Sequence, residues 1–203
     1  MLATDRFIPA PQAIKLEKLL LTEGKSPSNL FEALAKEIGL SDIIEIRDFR
    51  GVSELAKYLK TLAATAEMQT IVKSLGIVRD AEKDAQSAKQ SVQSAISGAN
   101  LPTSITVKVH ILPDETNPGM LETLCMKSVE KTAVFPCVES FFECIAEKGI
   151  VLPEGIHRDK HRAQVYLATC SESQLYPGYA ARKGIWPLSD PAYDAAKAFL
   201  KSL

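Results

Sequence analysis

The chain has 203 residues, which is enough for one domain with a substantial core or for a core with a helical appendage. Lys and Arg number 24 against 25 Asp and Glu, and the net charge of -1 at pH 7 excludes both a strong general attraction to nucleic acid and an acidic solvating tail. A polyanionic partner would therefore have to be bound locally. Because the sequence contains no run of roughly 18 apolar residues, it predicts no membrane span and no signal peptide, and it favours a cytoplasmic protein.

The first half of the chain alternates strand and helix patterns. An apolar run at 18–22 ends in Glu23-Gly24 and is followed by helical periodicity that begins at Ser28 or Asn29 and stops at Gly39. This alternation predicts a mainly parallel sheet with helices on both faces. The later elements of this half are a strand at 43–49, a helix at 52–66, a strand from 74 towards Asp80, a helix at 83–96 and a strand at 105–112.

The second half reads as helical, and no strand-rich second domain is visible. We therefore predict a single α/β domain over 1–203, with a Rossmann-like core at about 15–112 and a helical C-terminal portion at about 119–203 packed on it. The predicted helices of this portion are 119–131, 137–149, 157–170 and 190–203.

The four cysteines are widely spaced and lack the Cys-x-x-Cys pairing of zinc sites. Cys137 and Cys144 lie a heptad apart in an apolar helical pattern, so we expect them to be reduced core residues.

Acidic residues follow three of the predicted strands. Glu23 follows the first strand, Asp80 and Glu82 follow the third, and Asp114 follows the fourth. In an open parallel sheet these strand ends share one edge, where ligands bind. Clustered carboxylates repel each other unless a cation neutralises them, and oxygen ligands suit magnesium or manganese, which act in phosphate-ester chemistry.

Two other interpretations of these acids remain open. The third strand could stop at Val78, so that Asp80, Glu82 and Asp84 open the next helix and favour its positive N-terminus. The acids could also form a structural edge with no ligand. Two further classes are disfavoured, since the first strand does not end in a phosphoryl-accepting aspartate and Gly24-Lys25 lacks the remaining residues of a P-loop.

A strand that ends in Glu-Gly, followed two strand–helix units later by Asp-x-acid at another strand end, resembles the Toprim domain of topoisomerases, bacterial primases and overcoming-lysogenization-defect (OLD) nucleases. The chain more closely resembles a small, stand-alone bacterial family of Toprim-like proteins catalogued as a domain of unknown function. The segments that carry the resemblance are LLLTEGKS, LGIVRDAEKDA, ILPDETNPGMLETLC, PCVESFFEC and KGIWPLSDPAY.

This resemblance implies a metal-dependent nuclease. On this resemblance, Glu23 is expected to be a general acid/base or metal ligand, and Asp80 and Glu82 are expected to hold magnesium or manganese. Asp114 and Glu122 are then candidates for a second metal. The implied partner is nucleic acid. The runner-up is a non-catalytic Toprim-like module that binds nucleotide, nucleic acid or a protein partner.

Three features depart from the Toprim pattern. The usual Asp-x-Asp is Asp80-Ala81-Glu82, the polar pattern after Glu23-Gly24 is broken at 26–28, and no ATPase partner domain is present in the sequence.

Several other residues have open assignments. Lys25 adjoins Glu23 and could stabilise charge on a transferring phosphoryl group, whereas a solvated surface role is favoured for Lys160 and Lys183. Glu122 could simply be a helix N-terminal acid. Trp186 is expected to be a buried anchor for the last helix, with base stacking as the alternative.

Overall fold

The computed structural model describes residues 13–172 and 176–203. Its centre is a four-stranded sheet in the order β2-β1-β3-β4, in which all neighbouring strands are parallel. The predicted α/β class with a parallel sheet is confirmed. The strands are β1 (Lys18–Thr22), β2 (Ile44–Asp48), β3 (Ser74–Asp80) and β4 (Thr106–Leu112).

The strand order reverses direction between β1 and β3. The chain leaves β1 towards β2 on one side, and it leaves β3 towards β4 on the other. Such a reversal opens a crevice at the carboxyl ends of the two strands, where ligands of open α/β sheets bind. Thr22 pairs with Val78, and β3 continues to Asp80, so Glu23 and Asp80 both lie at this crevice.

Helices cover both faces of the sheet, as the sequence predicted. Between the strands lie α1 (Lys25–Glu37), α2 (Leu55–Ala63), α3 (Ala66–Thr70) and α4 (Ala85–Ser97). After β4 the described chain forms α5 (Leu121–Val129), α6 (Phe135–Glu147), α7 (Ile156–Ala168), α8 (Pro177–Arg182) and α9 (Asp194–Ser202).

Two apolar clusters hold these layers together because side chains alternate between the faces of a strand. Leu20 and Val78 point into the cluster that α1 shares with α5 to α9. Leu19, Leu21 and Ile77 point the other way, into the cluster formed with α2, α3 and α4. The helical C-terminal portion therefore packs on the same face of the sheet as α1.

The predicted start of α1 was wrong. The helix begins at Lys25, with Gly24 as its N-cap, so Pro27 lies in its first turn. Proline is tolerated there because the first amides of a helix have no intrahelical acceptor. Ser28 is buried instead of capping, and its hydroxyl lies 2.6 Å from that of Thr22.

Two other helix predictions need correction. The predicted single helix at 52–66 consists of a 3-10 turn followed by α2, and the chain then continues into α3. The break before α3 arises because Thr65 accepts a hydrogen bond from the Met68 amide and so starts a new helix. The short helix α8 was not predicted at all. The expected helix at 83–96 is present as α4, and Asp84 caps it by accepting from the Gln86 and Ser87 amides.

The prediction that Cys137 and Cys144 lie in the core was wrong, since both are exposed. Helix α6 buries Val138 and Phe142, which are one turn apart, and both cysteines lie off this buried stripe. Trp186 is buried as expected, at 1% exposure, and stacks on Tyr166.

Within the described ranges, no helix is both long enough and apolar enough to span a membrane.

Candidate functional site

At the crevice between β1 and β3, the carboxylates of Glu23 and Glu122 each act on the carboxylate of Asp80. Glu23 follows β1, Asp80 ends β3, and Glu122 lies in the first turn of α5. Burial, and after it the charges of Glu23 and Glu122, raise the pKa of Asp80 to about 8. We call these three residues the carboxylate cluster.

Glu23 is a buried acid next to Asp80. Burial raises its pKa, Arg79 opposes this shift, and the charge of Glu82 adds to it. The backbone amide of Asp80 lowers the pKa of Glu23, but by less than burial raises it. The Oε2 atom of Glu23 is buried and has no hydrogen-bond partner among the described residues. A buried carboxylate oxygen without a donor is costly unless a proton or a cation satisfies it.

The position of Asp80 depends on the start of α5. Its Oδ1 atom accepts a hydrogen bond of 3.0 Å from the Leu121 amide, one of the free N–H groups at the helix N-terminus. Nearby, Glu82 and Gly119 exchange two backbone hydrogen bonds of 2.8 Å. These bonds tie the loop after β4 to the loop after β3, and they bring Glu122 beside Asp80.

Lys160 of α7 is the cation common to all three acids. Burial raises the pKa of Glu122, Lys160 lowers it, and the charge of Asp159 raises it. Lys160 also lowers the pKa of Glu23 and of Asp80. Because Lys160 is exposed, its side chain can bind an anion from solvent while its charge acts on the carboxylate cluster.

Glu82 and Asp114 differ from these three acids. Glu82 is exposed, with a positive φ of 52°, and acts on the site through its charge, which raises the pKa of Glu23, and through its backbone bonds to Gly119. Partial burial of Asp114 opposes its ionisation, but four hydrogen bonds from Thr116 and Asn117 outweigh this effect and lower its pKa to about 2. Asp114 thus stabilises its own turn, with Lys127 at 3.8 Å.

Lys25 is exposed as the first residue of α1, directly after the Gly24 cap.

The carboxylate cluster partly fits a divalent metal ion. Its donors are all oxygen, Glu23 has an unsatisfied buried oxygen, and the acids repel one another, which are features that magnesium or manganese would satisfy. Yet in residues 13–172 and 176–203 no three His, Cys, Asp or Glu side chains already surround a common point as metal ligands do. Substrate or water oxygens would have to complete the coordination of an ion bound to Glu23 and Asp80.

Sequence reasoning named Glu122 of α5 as a candidate but did not consider the Leu121 amide. It favoured a surface position for Lys160, which is exposed, and did not connect this lysine with Asp80. Neither has a sequence signal of its own, because a lysine on a polar helix face and a backbone amide gain a role only from what packs beside them. The Asp80 strand end was the one signal that pointed to their location.

The fold and the site define a class of protein, a doubly wound α/β protein with coupled carboxylates at the point where its strand order reverses. The chain belongs to the family described as "Protein of unknown function (DUF3226)", whose model matches residues 17–203. No curated protein matches the sequence significantly.

Two solved structures are similar to the chain. Both are of the C-terminal region of the Xanthomonas campestris pv. campestris OLD protein, phased with iodine in one case and with mercury in the other. The TM-scores are 0.44 and 0.43 at 12% and 13% sequence identity, and each match covers 92% of this chain and 95% of the other.

Proposed function

We propose that the carboxylate cluster belongs to a magnesium- or manganese-dependent phosphodiester hydrolase that acts on nucleic acid. The observation that carries the proposal is the buried position of Asp80 at the crevice beside the charges of Glu23 and Glu122. Burial first, and these two charges next, raise its pKa to about 8. Placing like charges together is unfavourable for stability, and perturbed carboxylates of this kind are typical of functional sites. The sequence resemblance to Toprim domains supports a functional site at the same edge of the sheet.

Each residue has a role in this proposal. Glu23 and Asp80 would hold the ion, with Glu122 beside them. The bound ion would orient a phosphate and stabilise the charge that develops on it. Because its pKa is raised, Glu23 can also exchange a proton with the reacting groups as a general acid/base.

Cations at the rim complement these acids. Lys160 is exposed and its charge acts on the carboxylate cluster, so it is suited to bind a phosphate oxygen of the substrate. Lys25 is the second candidate for this role, at the start of α1. We infer no general affinity for polyanions, since the net charge of the chain is -1.

A non-catalytic module is the second candidate function. It is favoured by the exposed Glu82, which stands where the Toprim pattern has a second metal-binding aspartate, and by the lack of a preformed set of three ligands in the described residues. Such a module would bind nucleotide, nucleic acid or a protein partner without cleaving it.

The test is cleavage of labelled single- and double-stranded DNA and RNA with magnesium or manganese. We compare wild type with Asp80→Asn, which keeps the shape of the side chain and removes its charge. The expected loss of rate is on the order of 10³-fold. Glu32→Gln is the matched control, because it removes a carboxylate from the exposed surface of α1.

Metal-dependent cleavage that disappears in Asp80→Asn and persists in Glu32→Gln supports the hydrolase. Equal residual cleavage in all three proteins indicates a contaminant and contradicts it. Metal-dependent binding of the same nucleic acids without cleavage by wild type supports the non-catalytic module.

A further inference from the structure

A row of hydrogen bonds connects the first turn of α5 to α7 and α6. The Thr123 hydroxyl accepts from the Met120 amide at 3.1 Å and donates to Oδ2 of Asp159 at 2.7 Å. Oδ1 of Asp159 accepts from Nη1 of Arg162 at 3.2 Å, and Nε of Arg162 donates to Glu139 at 2.6 Å. Three helices are thereby joined through side chains.

The network is shielded from water. The side chains of Asp159, Arg162 and Glu139 are only 18%, 23% and 26% exposed. The Arg162 guanidinium also lies 5.4 Å from the centre of the Phe135 ring. Charge-assisted hydrogen bonds are stronger where water is partly excluded, so this network can hold α7 at a defined position on α5.

The two residues that make the link between α5 and α7 each adjoin a residue of the site. Thr123 follows Glu122, and Asp159 precedes Lys160. Glu122 and Lys160 are themselves electrostatically coupled. The Thr123–Asp159 hydrogen bond therefore joins the two helices one residue away from both Glu122 and Lys160.

We propose that Thr123 and Asp159 are positioning residues, which fix α7 on α5 and so hold the Lys160 ammonium within reach of Glu122, where it can bind a substrate phosphate. The phosphate role rests on the proposed function. The position of the ammonium does not, and it can be measured without substrate or metal.

A carbodiimide that joins an amine directly to a carboxylate in contact reports this position. We expect a cross-linked peptide between Lys160 and the carboxylate cluster in wild type, detected by mass spectrometry after digestion. Thr123→Val removes the hydroxyl at nearly constant shape and should lower the yield about tenfold, as expected for the loss of one charge-assisted hydrogen bond. Asp159→Ala should lower it similarly while leaving the Thr123 cap of α5 in place.

Two variants serve as controls. Thr123→Ser keeps the hydroxyl and should restore the wild-type yield. Thr169→Val removes a hydroxyl at the end of α7 that donates to the Tyr166 carbonyl of the same helix, and it should leave the yield unchanged. Circular dichroism shows whether each variant is folded.

Kinetics distinguish positioning from a general structural role. If cleavage is observed, kcat should fall about tenfold in Thr123→Val, and Thr123→Val should cause no further loss in a Lys160→Met background. A wild-type yield of the cross-link in folded Thr123→Val and Asp159→Ala would overturn the positioning role even if the hydrolase is real. If wild type shows no cleavage, loss of the cross-link in Thr123→Val and Asp159→Ala supports the positioning role and contradicts the hydrolase.

Discussion

The carboxylate of Asp80, at the end of β3, accepts a hydrogen bond of 3.0 Å from the backbone amide of Leu121, 41 residues further along the chain. This bond ties the central sheet to the N-terminus of α5. It stabilises the charge of Asp80, while burial and the neighbouring acids disfavour that charge more strongly. Asp80 is thus a residue whose ionisation is costly for the fold, and the predictions below follow from that cost.

Stability should fall as pH rises through the range in which Asp80 ionises. An unfolded aspartate has a pKa near 3.9, whereas the folded value is about 8. Between these values the folded protein keeps a proton that the unfolded chain has released, so raising the pH from about 4 to about 8 lowers the contribution of this group to the free energy of unfolding.

Asp80→Asn should remove this dependence. We expect its free energy of unfolding, relative to wild type, to increase between pH 5 and pH 9 by on the order of several kcal/mol. Urea unfolding at a series of pH values in a chelating buffer measures it, with Glu32→Gln as control. If the difference in the free energy of unfolding between Asp80→Asn and wild type stays constant with pH, the raised pKa does not belong to Asp80.

Divalent metal should stabilise the folded protein if Glu23 and Asp80 hold it. At a concentration about 100 times the dissociation constant, linkage predicts a rise in Tm of roughly 5–10 °C for a chain of this size. Glu23→Gln and Asp80→Asn should each abolish the rise, whereas Asp114→Asn should retain it because its carboxylate bonds within its own turn. A Tm that millimolar magnesium and manganese leave unchanged would count against metal binding.

Gly119→Ala should disrupt the loop that carries α5 to Asp80. The residue has a φ of +147°, and an added Cβ would lie 2.9 Å from Cδ of Pro113. We expect a loss of stability on the order of 2–4 kcal/mol, together with a weaker effect of metal on Tm. Gly98→Ala is the matched control, since its added Cβ meets ordinary contacts at 3.5 Å. Equal stability of the two variants would show that the loop tolerates the change.

Trp186 should act in packing and should not bind bases. Its indole is 1% exposed, stacks on Tyr166 and donates to the Pro177 carbonyl at 2.8 Å. Trp186→Ala is expected to cost about 3–5 kcal/mol, and Trp186→Phe less. Because the chain has one tryptophan, its fluorescence reports directly on this site. Quenching by an oligonucleotide would support the stacking alternative.

Much of the fold could be predicted because it depends on local patterns. Strands β1 and β4 were located within a residue from apolar runs and alternation, and the parallel sheet followed from the alternation with helices. The errors arose where local rules competed. The predicted start at Ser28 or Asn29 left Pro27 outside α1, but proline fits the first turn of this helix. Helical periodicity alone could not show that α6 buries Val138 and leaves Cys137 exposed.

For the candidate site, the sequence by itself determined that Glu23 and Asp80 share an edge, because parallel strands end on the same side of a sheet. It could not rank Glu82, Asp114 and Glu122, which look alike as acids after strands or before helices. The tertiary structure decided this: Glu122 and Lys160 are brought to Asp80 by the packing of α5 and α7, while Asp114 is held by Asn117 in its own turn. Coulombic coupling depends on distance through space, and the long-range contacts that set this distance leave no local pattern in the sequence.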